Sequence, residues 1–277
     1  MSISAMSRAL PAFVMLFLLP MMVVASESDY PLDEMEPDLH DRASLQRGAK
    51  TYMNYCMGCH ALQYQRYLRT ADDLGIPHEL MLKHLIFDPN VRIGDLMENS
   101  ISIDNSKYWF GAPPPDLTLY SQLKGGPEYL YTYLRGFYED SSRPFGVNNT
   151  VFENVGMPHV LVELQGLQRT VCKQVPKLTE SGAKIRDRHT LLYVTVEKCG
   201  AELKAIGGNP LVHVEGTGTL TPQEYDQVVY DLSNFLYYTA EPVRLERQRI
   251  GVYVLLFLAF FYVFAYLLSR EYTKEFH

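Results

Sequence analysis

The chain has 277 residues, 47% of them hydrophobic and 21% charged, with 25 basic against 32 acidic side chains and a net charge of −7. That apolar share excludes a wholly disordered polymer, and the acidic balance argues against a nucleic-acid partner, because displacing phosphate counterions needs a basic surface. The mean hydropathy of −0.12 averages over two strongly apolar runs, which have to be read apart from the rest.

The first run, Ala9 to Ala25, follows Arg8 and ends in Val23, Val24 and Ala25. A single charge, a short apolar stretch and a small-residue exit predict a secretory signal over residues 1–25. An uncleaved anchor is the alternative, and both readings send the following residues out of the cytoplasm. Next comes an acidic segment carrying Glu27, Asp29, Asp33, Glu34, Glu36, Asp38 and Asp41. It reads as a solvated arm, or as an electrostatic guide that speeds the arrival of a basic partner.

Leu45, Gly48, Ala49, Tyr52, Met53 and Cys56 recur at spacings of three and four, which predicts an amphipathic helix. Gly48 and Ala49 would let a second helix approach closely. The helix leads into Cys56-Met57-Gly58-Cys59-His60, the Cys-x-x-Cys-His spacing of covalent c-type haem attachment. Two thiols at this separation can add to the haem vinyl groups, and the adjacent histidine is then held beneath the iron. A thioredoxin-like redox pair or half of a zinc site competes for the two cysteines. A redox pair would want a following strand and helix and no obligatory histidine, and a zinc site a second Cys or His pair at ligand spacing; His60 argues against the first, and no second pair at ligand spacing is read for the other.

A sixth ligand must come from downstream. Met97, in Ile93-Gly94-Asp95-Leu96-Met97, reads as packing in a helix or at its end. Gly156-Met157-Pro158-His159 is a stiff loop that can present a thioether, with His159 as the rival ligand and an open site as a third possibility. Strand-like residues at Thr170 to Cys172 and Leu191 to Val196 predict a β-ribbon. Thr221-Pro222-Gln223-Glu224 is a capping box with proline at the first helical position. The helix it opens has Tyr225, Val228, Val229, Leu232, Phe235 and Leu236 on one face and is the candidate to cross the helix before the haem motif.

The second apolar run, Ile250 to Leu268, has no charge. At about 1.5 Å per residue it extends roughly 28 Å, near the thickness of a bilayer core. Arg244, Arg247 and Arg249 precede it, while Arg270 and Lys274 follow. That balance mildly opposes a cytoplasmic tail, so the orientation rests on the export signal. The expected division is a signal at 1–25, an exported haem domain at 26–249, a transmembrane helix at 250–268 and a cytoplasmic tail at 269–277.

The ordered set of motifs resembles the cytochrome c1 family, the haem subunits of ubiquinol:cytochrome c reductase, in its bacterial form. The residues that carry the resemblance are Arg47-Gly48-Ala49 and Tyr52 before the haem motif, Ala112-Pro113-Pro114-Pro115-Asp116-Leu117-Thr118, Gly125-Gly126-Pro127-Glu128-Tyr129-Leu130-Tyr131, Gly156-Met157-Pro158, and Ala240-Glu241-Pro242 before the last span. The resemblance implies a mainly α fold: a class I c-type cytochrome domain with irregular loops, a short β-ribbon insertion and one C-terminal transmembrane helix. It implies one covalent haem c, with thioethers to Cys56 and Cys59 and axial ligands His60 and Met157. Pro113, Pro114 and Pro115 would line the haem edge, and Tyr129 would lie near a propionate. The family's arginine before the Gly-Gly pair is absent from Ser121-Gln122-Leu123-Lys124; Arg135 is a conceivable substitute, and an ordinary surface residue otherwise.

The implied partners are a cytochrome b subunit, a Rieske iron-sulfur protein and a basic cytochrome c acceptor, in a dimeric complex of the bacterial inner membrane, with the haem domain in the periplasm. A membrane-anchored monohaem donor to a terminal oxidase is the alternative. Cys172 and Cys199, in an exported domain where thiols oxidise, are expected to form a disulfide that clamps the insertion near the Met157 loop.

Overall fold

The computed structural model describes residues 30–274 except Lys124, Glu180 and Ser181, so the expected signal, Glu27 and Asp29 lie outside the described residues. The first helix, α1 (Arg42–Thr51), begins where the Asp41 carboxylate accepts the Ser44 N–H at 3.0 Å. It does not run on to the cysteines as one α-helix. Tyr52–Cys56 form a π-helical turn, closed by the Met57 N–H donating to the Tyr52 carbonyl at 3.0 Å. Leu45, Gly48, Ala49, Tyr52, Met53 and Cys56 are all buried, as their spacing requires. The change of pitch falls immediately before the haem motif, where π-turns are often put to functional use.

After the motif come β1 (Leu62–Arg66), α2 (Tyr67–Leu74), α3 (His78–His84) and β2 (Leu96–Met97), with β1 and β2 paired antiparallel. Met97 therefore sits in a short strand rather than in or beside a helix. Its side chain is fully buried, with the Thr70 hydroxyl 3.6 Å from its sulfur, which leaves it the packing role its sequence context suggested. Next are α4 (Ile103–Phe110), the 3₁₀ turn Tyr120–Gln122 and α5 (Gly126–Arg135). The hairpin of β3 (Phe137–Glu139) and β4 (Val147–Asn149) precedes the short α6 (Val162–Gln165).

The insertion holds two ribbons, not one. Strand β5 (Gln168–Thr170) pairs with β8 (Leu211–His213), while β6 (Lys173–Pro176) pairs with β7 (Thr195–Lys198). Leu191, Leu192 and Tyr193, expected within a strand, lie exposed before β7. Cys172 and Cys199 form a disulfide at the base of the β6–β7 ribbon, and α7 (Gly200–Ala205) follows it. Met157 and its neighbours fall outside the loop that the disulfide closes, so the bond clamps the ribbon and not the methionine loop.

The long helix α8 (Pro222–Ala240) starts at the predicted capping box: the Thr221 hydroxyl accepts from the Glu224 N–H, and the Glu224 carboxylate from the Thr221 N–H. The core lies where α8 crosses α1 and packs on α5. Tyr52, Tyr225, Leu232 and Phe235 are almost fully buried there, each contributing about 1.5–3 kcal/mol through its removal from water. Val228, placed on this face by its spacing, is only half buried. The Arg47 guanidinium grips the buried Asp231 carboxylate through Nε at 2.6 Å and Nη2 at 2.9 Å, fixing the crossing.

The acidic segment is not a free arm. Tyr30 and Met35 are buried, Asp33 pairs with Arg135 and Lys204, and the Glu36 and Asp38 carbonyls accept hydrogen bonds from Tyr230 and Asn234 of α8. The last helix, α9 (Arg244–Lys274), outruns the uncharged stretch at both ends and takes in most of the expected tail. Its apolar side chains are exposed along its length, and it is long and apolar enough to cross a membrane.

Candidate haem site

Cys56 and Cys59 are brought to one face by a tight turn in which the Cys56 carbonyl accepts from the Cys59 N–H at 3.0 Å and the His60 N–H at 2.9 Å. The buried Tyr52 donates its hydroxyl to the His60 carbonyl at 2.6 Å, anchoring the end of the motif to the helix crossing. Burial, with a smaller push from Cys59, raises the Cys56 thiol to about 12.

The proline segment returns beside His60. It is held by the Leu117 N–H donating to the Ala61 carbonyl at 3.0 Å and by Asp116 accepting the Gln63 N–H at 2.8 Å. This places the Pro115 carbonyl 2.8 Å from His60 Nδ1. A carbonyl only accepts, so Nδ1 carries the proton and Nε2 keeps its lone pair for a metal. Burial pulls the His60 pKa down, and the Pro115 bond opposes that shift. Pro115 was expected along the haem edge; its carbonyl orients the His60 ring.

These residues line one apolar cleft of about 370 Å³. Cys56, Cys59 and His60 share it with Pro113, Pro114 and Pro115, with Tyr129 and Tyr133 of α5, with Leu232 and Leu236 of α8, and with Gly156, Met157 and Pro158. Tyr120, Phe110, Phe152 and Val155 are also part of its wall, none of them singled out from sequence. Aromatic residues are common in any core, and only the topology shows which face the cleft. A haem fits the residues present, because two thiols, one imidazole with a free lone pair and one thioether converge on a cleft whose walls are otherwise hydrocarbon and phenol.

Met157 owes its place to Gly156. A Cβ on Gly156 would stand 2.5 Å from the Phe110 carbonyl oxygen, so only glycine lets the loop pass the end of α4. The Tyr133 hydroxyl lies 3.5 Å from the Met157 sulfur. His159, the rival ligand, is absent from the cleft wall: it is buried, with its ring stacked flat on Phe137 at 4.7 Å and 1°. Its pKa is lowered to about 4 by desolvation, which Gln165 and Gly166 only partly offset.

Tyr129 is buried between Tyr120 and Tyr133, with ring centroids 6.3 and 6.0 Å away, and forms part of the cleft wall. Arg135 belongs elsewhere. It ends α5 and pairs with Asp33 at 2.9 Å and Asp226 at 2.6 Å, over the Tyr131 ring. Its charge is spent in holding the acidic segment and α8 together, and it is not part of the cleft wall, so the suggested substitution for a propionate-binding arginine fails.

The Cytochrome C1 family model matches residues 214–276, which include α8 and α9. Cytochrome c1 of Allochromatium vinosum is 45% identical over 270 residues, covering 98% of this chain and 100% of that protein. The ammonia monooxygenase gamma subunit of Nitrosomonas europaea is 36% identical, covering 95% of this chain and 96% of its own. Cytochrome c1 of Rhodobacter capsulatus is 24% identical, covering 84% and 83%. Aligned from end to end with a cytochrome c1 at 45% identity, this chain belongs to the cytochrome c1 family.

Proposed function

We propose that the chain holds one haem c through thioethers to Cys56 and Cys59, with His60 and Met157 as axial ligands. It would take electrons from a Rieske iron-sulfur protein and deliver them to a cytochrome c. Family membership makes it a bc1-type haem subunit and implies a c-type haem. The observation that carries the finer reading is the convergence of Cys56, Cys59, His60 and Met157 on one apolar cleft, with His60 Nδ1 tied to Pro115.

When bound, the haem supplies a one-electron iron couple. The chain's own residues fix how that couple behaves. Pro115 holds the His60 ring in one tautomer and orientation, as outer partners of ligating histidines generally do. The thioether of Met157, a weak donor, favours the reduced state and so a high potential. The hydrocarbon lining excludes water and penalises the extra charge of the oxidised state, in the same direction. Pro113 and Pro115 are exposed beside the cleft, so a carrier would reach its rim there without entering it.

The chain would act as an electron-transfer subunit rather than a self-contained enzyme, with quinol oxidised on a cytochrome b subunit. The exposed apolar α9 would anchor it in the bacterial inner membrane, with the haem domain in the periplasm and a basic cytochrome c as acceptor, in a dimeric complex. The test is purification in mild detergent with identification of the bound subunits. Recovery with a dihaem cytochrome b and a Rieske protein supports the proposal. Recovery with a terminal oxidase instead would favour the monohaem donor reading, and recovery with monooxygenase subunits a role like that named for the Nitrosomonas relative.

A further inference from the structure

The Tyr133 hydroxyl lies 3.5 Å from the Met157 sulfur, a distance at which an O–H donates to a thioether. We propose that Tyr133 is a positioning residue for the distal ligand, donating a hydrogen bond to the Met157 thioether and raising the reduction potential of the haem. The inference rests on the ligand role of Met157 proposed above.

The phenol is held where it can do this. Its ring stacks on Tyr129 with centroids 6.0 Å apart and planes 13° from parallel, and meets Phe137 edge-on at 5.4 Å and 75°. Phe137 is in turn stacked on the buried His159, so the ring is braced on both sides. At the backbone, the Tyr133 carbonyl accepts from Asn149 Nδ2 at 2.8 Å and the Gly136 N–H at 3.1 Å, which pins the end of α5 to β4.

The electronic direction follows from the sulfur. A thioether has two lone pairs, and binding iron through one leaves the other to accept a hydrogen bond. That bond draws density from the sulfur and weakens its donation to the metal. Oxidised iron relies on donation more than reduced iron does, so the bond penalises the oxidised state. Groups one shell beyond a metal commonly tune it in this way. Tyr133 also serves the fold through its ring, and Tyr133→Phe separates the two roles because it keeps both ring contacts and removes only the donor.

The experiment is redox titration of the purified, haem-loaded Tyr133→Phe and Met157→Leu proteins beside the parent, with the methionine-to-iron charge-transfer band recorded for each. The expected result is that Tyr133→Phe keeps the band but shifts its electron-sharing equilibrium with a fixed redox mediator by about three- to tenfold toward the oxidised haem, a fall of about 30–60 mV at 59 mV per tenfold. An unchanged potential with the band intact would overturn the inference and leave Met157 as the ligand. A band that survives in Met157→Leu would overturn the ligand assignment itself, and the role of Tyr133 with it.

Discussion

Replacing Gly48 by alanine tests the helix crossing that places the haem motif. A Cβ at this position would lie 2.0 Å from the Asp231 carbonyl oxygen and 2.7 Å from both the Asp231 carbonyl carbon and Phe235 Cβ. Comfortable carbon contacts fall at about 3.5–4.0 Å, so α8 would have to retreat by on the order of 1 Å. The obstructing atoms are mainly backbone and cannot swing aside. Retreat would also pull Asp231 from Arg47 and loosen the packing of Tyr52 on Phe235, whose rings sit 5.8 Å apart. Overpacking of this kind costs about 1–3 kcal/mol, and the backbone contacts argue for the upper end. Glycine to alanine inside a helix otherwise gains about 1 kcal/mol. The net loss is then about 2 kcal/mol, which lowers the melting temperature of a domain this size by about 4–8 °C. Thermal unfolding of the haem-loaded protein in mild detergent measures this directly. Gly94→Ala is the control, because a Cβ there meets nothing within 4 Å. A Gly48→Ala protein as stable as the parent, or more so, would refute the close crossing.

Arg47→Leu leaves the Asp231 carboxylate, 3% exposed, with the Gln227 amide at 3.0 Å as its only side-chain donor among the described residues. Stranding a buried charge is costly, but Arg47 is itself half exposed, so the expected loss is about 2 kcal/mol. Asp231→Asn removes the charge and should cost less; urea unfolding of the two variants gives the order, and the reverse order would show that Asp231 is not sequestered. Replacing Cys172 and Cys199 together by serine removes roughly 3–4 kcal/mol of loop-closure stabilisation from the β6–β7 ribbon. Faster proteolytic cleavage within the ribbon is expected, with the haem potential unchanged because Met157 lies outside the closed loop. A shifted potential would mean that the ribbon reaches the distal ligand after all.

How much of this was legible in the sequence depends on the range of the interaction. The capping box at Thr221 and the face of α8 could be read because both are set by neighbours within a few residues. The haem motif could be read because the cofactor itself dictates the cysteine spacing. The stiff loop and the higher potential of His/Met ligation favour Met157 over His159, but both side chains suit iron, so sequence alone leaves the rival open. The fold separates them by seating one on the cleft wall and stacking the other on Phe137. The ribbon at the disulfide was legible from its strand-like residues, but the β5–β8 pairing was not, because it spans more than forty residues, a register that local composition does not encode. Arg135 and the acidic segment failed for a related reason: their charges find each other only once α5, α8 and residues 30–41 are packed together. The π-turn at Tyr52–Cys56 left no trace in the apolar spacing, because the same residues are buried at either pitch.

The ligand role proposed for Met157 is open to a direct test. The measurement is a redox titration of Met157→Leu, with the charge-transfer band and haem content recorded on the same sample. Leucine keeps the volume and apolar character of the side chain but cannot donate to iron. The haem should remain covalently attached through Cys56 and Cys59, the band should vanish, and the potential should fall by well over the Tyr133→Phe shift. A Met157→Leu protein that keeps both the band and the potential of the parent would contradict the account, because the distal ligand would then have to be another residue.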